Sequence, residues 1–152
     1  MPVAGKEALI DVPVDFFLQG WVYVLTKSEI ALWFMLRHLQ VLGGVPGAEL
    51  TIFGADRLRR YGLKKDAYKA WWLLERAGLI EVQVDPSRRP DSTVIDFDAA
   101  NPPATHRFKL RDEGLGQPAA QAVKDALVAA LSGEPMGVAR VNTVYADNLF
   151  WL

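Results

Sequence analysis

Seven cationic side chains, Arg57, Arg59, Arg60, Lys64, Lys65, Lys69 and Arg76, stand against three anionic ones, Asp56, Asp66 and Glu75, in the stretch from Asp56 to Arg76, a local net of +4. The other residues carry ten positive and fifteen negative side chains, a net of −5, which leaves the 152-residue chain at −1. A protein that coats nucleic acid through general basicity is excluded by that total. A basic patch of this density can still draw phosphate groups to one face by Coulomb attraction.

Other residue types offer less chemistry. Without cysteine there is no disulfide, thiolate nucleophile or Cys-based zinc or iron-sulfur site, and two histidines, His38 and His106, do not complete a three-ligand catalytic zinc site. His38 lies in an apolar helical stretch and is expected to be a hydrogen-bonded boundary residue, whereas His106, beside Arg107 and Lys109, is expected at the surface. Asp96 and Asp98 share a strand face by their spacing but have no metal-rich or acid/base surroundings. Ser87, Ser92 and Ser132 sit in turn-rich sequence without a nucleophile elbow, and neither a dinucleotide-binding glycine fingerprint nor a Walker A motif is present. The chain is therefore not expected to be an enzyme or to hold a cofactor or metal. Charged residues are scattered through the N-terminus and no long charge-poor apolar run occurs, so neither a secretory leader nor a membrane span is expected, and a cytosolic location fits.

The elements that would position the basic stretch follow from pattern. Residues 1–25 read as a lead-in, with Phe16, Phe17 and Leu18 docking on the domain and a short β-like run over Gly20–Leu25. Thr26 and Glu29 have capping-box spacing ahead of a helix from about Lys27 to Leu42, whose Ile30, Leu32, Trp33, Phe34, Leu36, Leu39 and Val41 give a broad apolar surface. After the Gly43–Gly47 breaker come a short helix over Ile52–Tyr61, a turn at Gly62-Leu63, and a longer helix over Lys64–Ala77. Leu58 and Tyr61 are expected to face the core from the first of these, and Ala67, Ala70, Trp71 and Leu74 from the second; Lys65, Lys69 and Arg76 point outward. Trp21, Trp33, Trp71, Trp72 and Trp151 read as packing residues.

Gly78 is the expected helix stop before a strand over Leu79–Val84. The polar turn Asp85–Ser92, carrying Arg88 and Arg89, then joins it to a second strand over Thr93–Asp98 as a hairpin. Thr105–Leu110 adds a third extended segment or packs back on the core, and a helix over Ala119–Leu131 presents Ala122, Val123, Ala126, Leu127, Ala130 and Leu131 on its apolar side. The apolar ending, which includes Val138, Tyr145, Phe150 and Trp151, can cover this chain, exchange onto a partner or begin a longer segment.

Arg57-Leu-Arg-Arg-Tyr-Gly-Leu63, followed by Asp66-Ala-Tyr-Lys-Ala-Trp-Trp-Leu-Leu-Glu-Arg-Ala-Gly-Leu-Ile80 and a polar hairpin, resembles the winged-helix-turn-helix superfamily of DNA-binding regulators. The resemblance covers about residues 26–110 as an ordered pattern and implies a helix-turn-helix with a hairpin wing; with the lead-in, long first helix and extra C-terminal helix read from pattern, the expected fold is of α/β type in its α+β form. It further implies a recognition helix near Lys64–Ala77 and a wing near Asp85–Ser92; the segment over 111–152, read from its own apolar pattern, can serve dimerisation.

On that reading Lys64, Lys65 and Lys69 position phosphates, with a lysine able to reach guanine acceptors, and Tyr68 makes an apolar or hydroxyl contact. Arg57, Arg59 and Arg60 meet backbone phosphates, Arg76 stands at the far end of the recognition helix, and Arg88 and Arg89 enter a narrow minor groove. That helix contains no Asn, Gln, Ser or Thr, a thin set for reading bases. The expected partner is double-stranded DNA, bound by a sequence-selective transcriptional regulator that acts by operator occupancy. A homodimer through the regions Lys27–Leu42 and Ala119–Leu152 would present two recognition helices to a roughly palindromic site. The alternatives are a plasmid or phage replication or accessory protein that binds DNA, and a winged helix that binds only protein.

Overall fold

Thr26 opens the longest helix in the way its spacing from Glu29 predicts. Its Oγ1 accepts the Glu29 amide at 3.4 Å while Glu29 Oε2 accepts the Thr26 amide at 2.6 Å, a complete capping box. The computed structural model describes residues 9–89, 93–100 and 105–133 of the chain. In chain order these form α1 (Asp15–Leu18), α2 (Trp21–Val24), α3 (Lys27–Gly43), α4 (Gly54–Tyr61), α5 (Lys65–Tyr68), α6 (Trp71–Arg76), β1 (Ile80–Gln83), β2 (Arg107–Leu110), a 3-10 turn (Asp112–Gly116) and α7 (Ala119–Leu131). The architecture is mixed helix with a two-stranded antiparallel sheet, of α+β type. Among the described residues no helix is long and apolar enough to cross a membrane.

α3 buries Leu32, Trp33, Met35 and Leu36, and its Trp33 ring stacks on Phe16 of α1 at 4.7 Å. Arg37 is buried with them because its charge is matched. Nη1 donates to both carboxylate oxygens of Asp112 at 2.7 and 2.8 Å, and Nε and Nη2 donate to the Asp11 carbonyl. The strand expected over residues 20–25 is a helical turn, α2. Its Trp21 is driven wholly inside, where Nε1–H donates to the Leu115 carbonyl at 3.0 Å, and α2 packs on α7. Burial of that indole outweighs the β preference of the run.

The helix expected over Lys64–Ala77 is two pieces, α5 and α6, separated at Lys69-Ala70. There the Ala70 amide reaches the Ala67 carbonyl and the Trp72 amide the Lys69 carbonyl, both i to i−3 bonds. Such a tighter turn aligns side chains three apart, which lets Tyr68 and Trp71 both enter the core. The stop at Gly78 is as expected: at φ 78° its amide bonds to Glu75 and that of Leu79 to Leu74, closing a Schellman motif.

β1 pairs with β2, in the register Ile80 opposite Leu110 and Val82 opposite Phe108. Residues 93–98, expected as its partner, form no strand; one bridge joins Val94 to Arg88. The reason is burial. His106, Phe108 and Leu110 alternate into the core, whereas Ile95 and Phe97 are exposed. The connection between the strands therefore runs over residues 84–106 instead of a short hairpin turn. On its other side β2 meets Leu50, whose backbone exchanges bonds of 2.7 and 2.9 Å with Phe108, so the sheet order is Leu50, β2, β1.

α7 has the expected bounds and packs on α2 and α6. Ala119, Ala122, Val123 and Ala126 face inward, whereas Leu127 and Leu131, expected on the same side, are exposed. One core cluster takes residues from Phe16 through Ala119, drawing on the lead-in, the central segment and the C-terminal part together. The apolar ending, with Trp151, and Ser92 lie outside the described residues.

Candidate nucleic-acid interface

Arg57 lies on the buried side of α4, only 5 % exposed. Its guanidinium sits 4.1 Å from the Tyr68 ring centroid and its Nε donates to the Leu63 carbonyl at 3.2 Å. It is therefore a structural cation and not the phosphate contact expected. Tyr68 is likewise 0 % exposed and is removed from the set of surface contacts. Both corrections have one cause: the split between α5 and α6 turns Tyr68 inward, and a desolvated aromatic face offers a guanidinium a partner.

Arg59, Arg60, Lys64, Lys65 and Lys69 do reach solvent. They follow one another from the end of α4, around Gly62 with its φ of 66°, and through α5. Asp56 lies 3.7 and 3.9 Å from Arg59 and Arg60, and Asp66 lies 3.5 Å from Lys69. These contacts are exposed and weak, so a phosphate can compete for the cations at little cost. Arg76 is half-buried at the end of α6. Leu58, expected in the core, is 53 % exposed between Arg57 and Arg59, because the inward side of α4 is taken by Arg57.

Arg88 and Arg89 lie on the connection between β1 and β2, Arg88 half-buried and Arg89 exposed. Asp85 shapes this turn by accepting the Ser87 amide at 2.9 Å and the Ser87 hydroxyl, and by its carbonyl accepting the Arg88 amide at 3.0 Å. The Arg89 amide donates to the Thr93 carbonyl at 2.8 Å. Asp96 and Asp98 are exposed and off any strand, with Asp98 accepting the Ala100 amide.

His38 is half-buried with Nδ1 2.7 Å from the Tyr61 hydroxyl, the hydrogen-bonded boundary histidine expected. Burial pushes the Tyr61 hydroxyl above its ordinary pKa, with Arg60 acting the other way. His106 overturns its expectation, being 0 % exposed. Its ring lies parallel to Tyr68, 6.0 Å between centroids, and edge-on to Trp71. The alternation of His106, Phe108 and Leu110 was the signal for this, masked by the charged Arg107 and Lys109 between them. Trp21, Trp33 and Trp71 are core residues and Trp72 is half-buried against the core cluster. Among the described residues no group of three or more histidines and carboxylates can hold a metal ion. No family model, curated protein or solved structure matches this chain.

Proposed function

We propose that the chain is a winged helix that binds double-stranded DNA through Arg59, Arg60, Lys64, Lys65 and Lys69, with Arg89 on the connection between strands as a second contact. The observation that carries this reading is the exposure of those five cations around one turn of a chain whose total charge is −1. The order of elements supports it: α3, the Leu50 bridge, α4, α5 with α6, β1, a long connection and β2 follow the order of a winged helix. In this reading α5 enters the major groove and residues 84–106 form the wing, larger than the turn expected from sequence. Phosphate contacts supply most of the affinity, and bases are read by few side chains. The activity that follows is occupancy of an operator by a transcriptional regulator in the cytosol, or of an origin by a replication accessory protein.

The dimer reading is narrowed by α3, whose Leu32, Trp33 and Leu36 are spent on the core of one chain. α7 remains the better seat, since Leu127, Val128 and Leu131 are exposed along it. A twofold copy would double the contacts on DNA without strengthening any one of them. Sedimentation at about twice the 16.9 kDa chain mass is the expected result.

A second reading, a winged helix that binds protein alone, is favoured by the exposure of Phe53 at the start of α4 and of Leu58 along it. Fluorescence anisotropy with random duplex DNA across a salt series separates the two. Five phosphate contacts per chain predict that log K falls against log salt with a slope of roughly −4 to −5 for a single chain on the duplex and about twice that for a dimer engaging both halves. No affinity at low salt would leave the protein-binding reading.

A further inference from the structure

We infer that His106 is the positioning residue that fixes the Arg88-Arg89 turn against the second half of the helix-turn-helix, an inference that rests on the DNA-binding reading above. The turn is closed on itself by its own backbone. Arg88 donates to Asp85, Arg89 to Thr93, and Ile95 to the Ser87 carbonyl at 3.0 Å. Those bonds set its shape, and they run within the turn itself.

His106 links the turn to α5 and α6. Its Nε2 lies 3.2 Å from the Arg89 carbonyl oxygen. A carbonyl only accepts, so Nε2 carries the proton and donates it. The imidazole is itself held on three sides: parallel to Tyr68 within 9°, and edge-on to Trp71 at 5.9 Å and to Phe108 at 6.4 Å. Tyr68 and Trp71 belong to the two pieces of the second helix, and Arg57 of the first helix lies over Tyr68. A chain of packed rings thus runs from the helix-turn-helix to the backbone of Arg89. A turn held in place before binding loses less freedom when its arginine meets DNA, which strengthens the contact without adding one.

His106→Phe retains a ring for the stack and removes the Nε2–H donor; His106→Gln removes the ring and places an amide donor near the same point. Thermal unfolding first establishes that each variant is folded. Hydrogen exchange then reads the amides of Arg88, Arg89 and Ile95, and anisotropy reads duplex affinity. The expected result is faster exchange at those amides in His106→Phe, and parent-like exchange in His106→Gln. In affinity, His106→Phe should lose roughly as much as the pair Arg88→Ala with Arg89→Ala, about three- to tenfold, and the combined variant should lose no more than either, because both act through one contact. His106→Gln should bind within about twofold of the parent on the same logic.

Three outcomes overturn the inference alone: a parent that binds DNA with His106→Phe binding equally well, losses that add in the combined variant, or His106→Gln failing as His106→Phe does. A folded parent with no duplex affinity at low salt overturns the DNA reading and the inference with it. The two failures are therefore distinguishable in one set of titrations.

Discussion

The guanidinium of Arg57 lies over the ring of Tyr68, 4.1 Å from its centroid, so the two helices flanking the Gly62 turn are joined by a cation and an aromatic face inside the fold. Arg57 also holds the carbonyl of Leu63 within that turn. One side chain thereby fixes the angle at which the exposed cations of α4 and α5 are presented. The basic stretch divides into a buried charge that joins α4 to α5 and exposed charges that face solvent.

Arg57→Ala should cost on the order of 3 kcal/mol of stability, combining a desolvated cation–π contact with a charged hydrogen bond. Arg57→Lys should recover little of it, since an ammonium lacks the planar guanidinium that lies on the ring and bonds sideways. Arg59→Ala, at an exposed site, should change stability by less than about 0.5 kcal/mol. Urea unfolding of the three variants checks this, and equal midpoints for Arg57→Ala and Arg59→Ala would refute the division.

Lys65→Ala with Lys69→Ala should lower duplex affinity and flatten its salt dependence by roughly 0.9 in slope for each phosphate no longer neutralised. The pair should leave unfolding unchanged, because both side chains are exposed and the Lys69 contact with Asp66 is a weak surface pair. An unaltered slope in the anisotropy series would remove both lysines from the interface.

Much of this arrangement can be read from the chain. The capping box at Thr26, the bounds of α7, the stop at Gly78 and the Gly62 turn all rest on local chemistry that acts within a few residues. Strand pairing is different. Residues 93–98 look as extended as 105–110, and the choice of β2 as partner is made by the core, which accepts His106, Phe108 and Leu110 on one side. Side-chain direction within the basic stretch is equally hidden, since a break between α5 and α6 redirects Tyr68, and only the packed fold creates that break. Arg57 and Arg59 are indistinguishable by type, and a helical face assigned from pattern places Leu58 where Arg57 stands.

Gly114→Ala should destabilise the fold by about 1–3 kcal/mol, the usual cost of forcing an atom into a filled site. A Cβ there would overlap the Gly78 carbonyl group and crowd the Leu79 amide nitrogen, where the 3-10 turn crosses the end of α6, and both are backbone that cannot swing aside. Gly116→Ala in the same turn meets nothing within 4 Å and is the control. The expected readout is a urea midpoint lowered in the first variant and unchanged in the second; equal midpoints would mean that the two backbones separate freely.

Glu75 makes stability depend on pH in the direction opposite to that of a salt-bridged carboxylate. Its Oε1 accepts the Val82 amide at 3.1 Å, joining α6 to β1. Burial pushes its pKa from an ordinary 4.5 up to about 7, while the Val82 bond and the nearby Arg76 pull the other way. Between those values the folded chain keeps a proton that the unfolded chain has released. The group's contribution is therefore fully present below pH 4.5 and is lost as pH rises through 7, by on the order of 3 kcal/mol. Glu75→Gln keeps an acceptor for Val82 and cannot ionise. The parent should lose stability relative to this variant between pH 5 and pH 8, and chemical unfolding at a series of pH values gives the difference directly. A constant difference across that range would show that Glu75 ionises in the fold as it does in water.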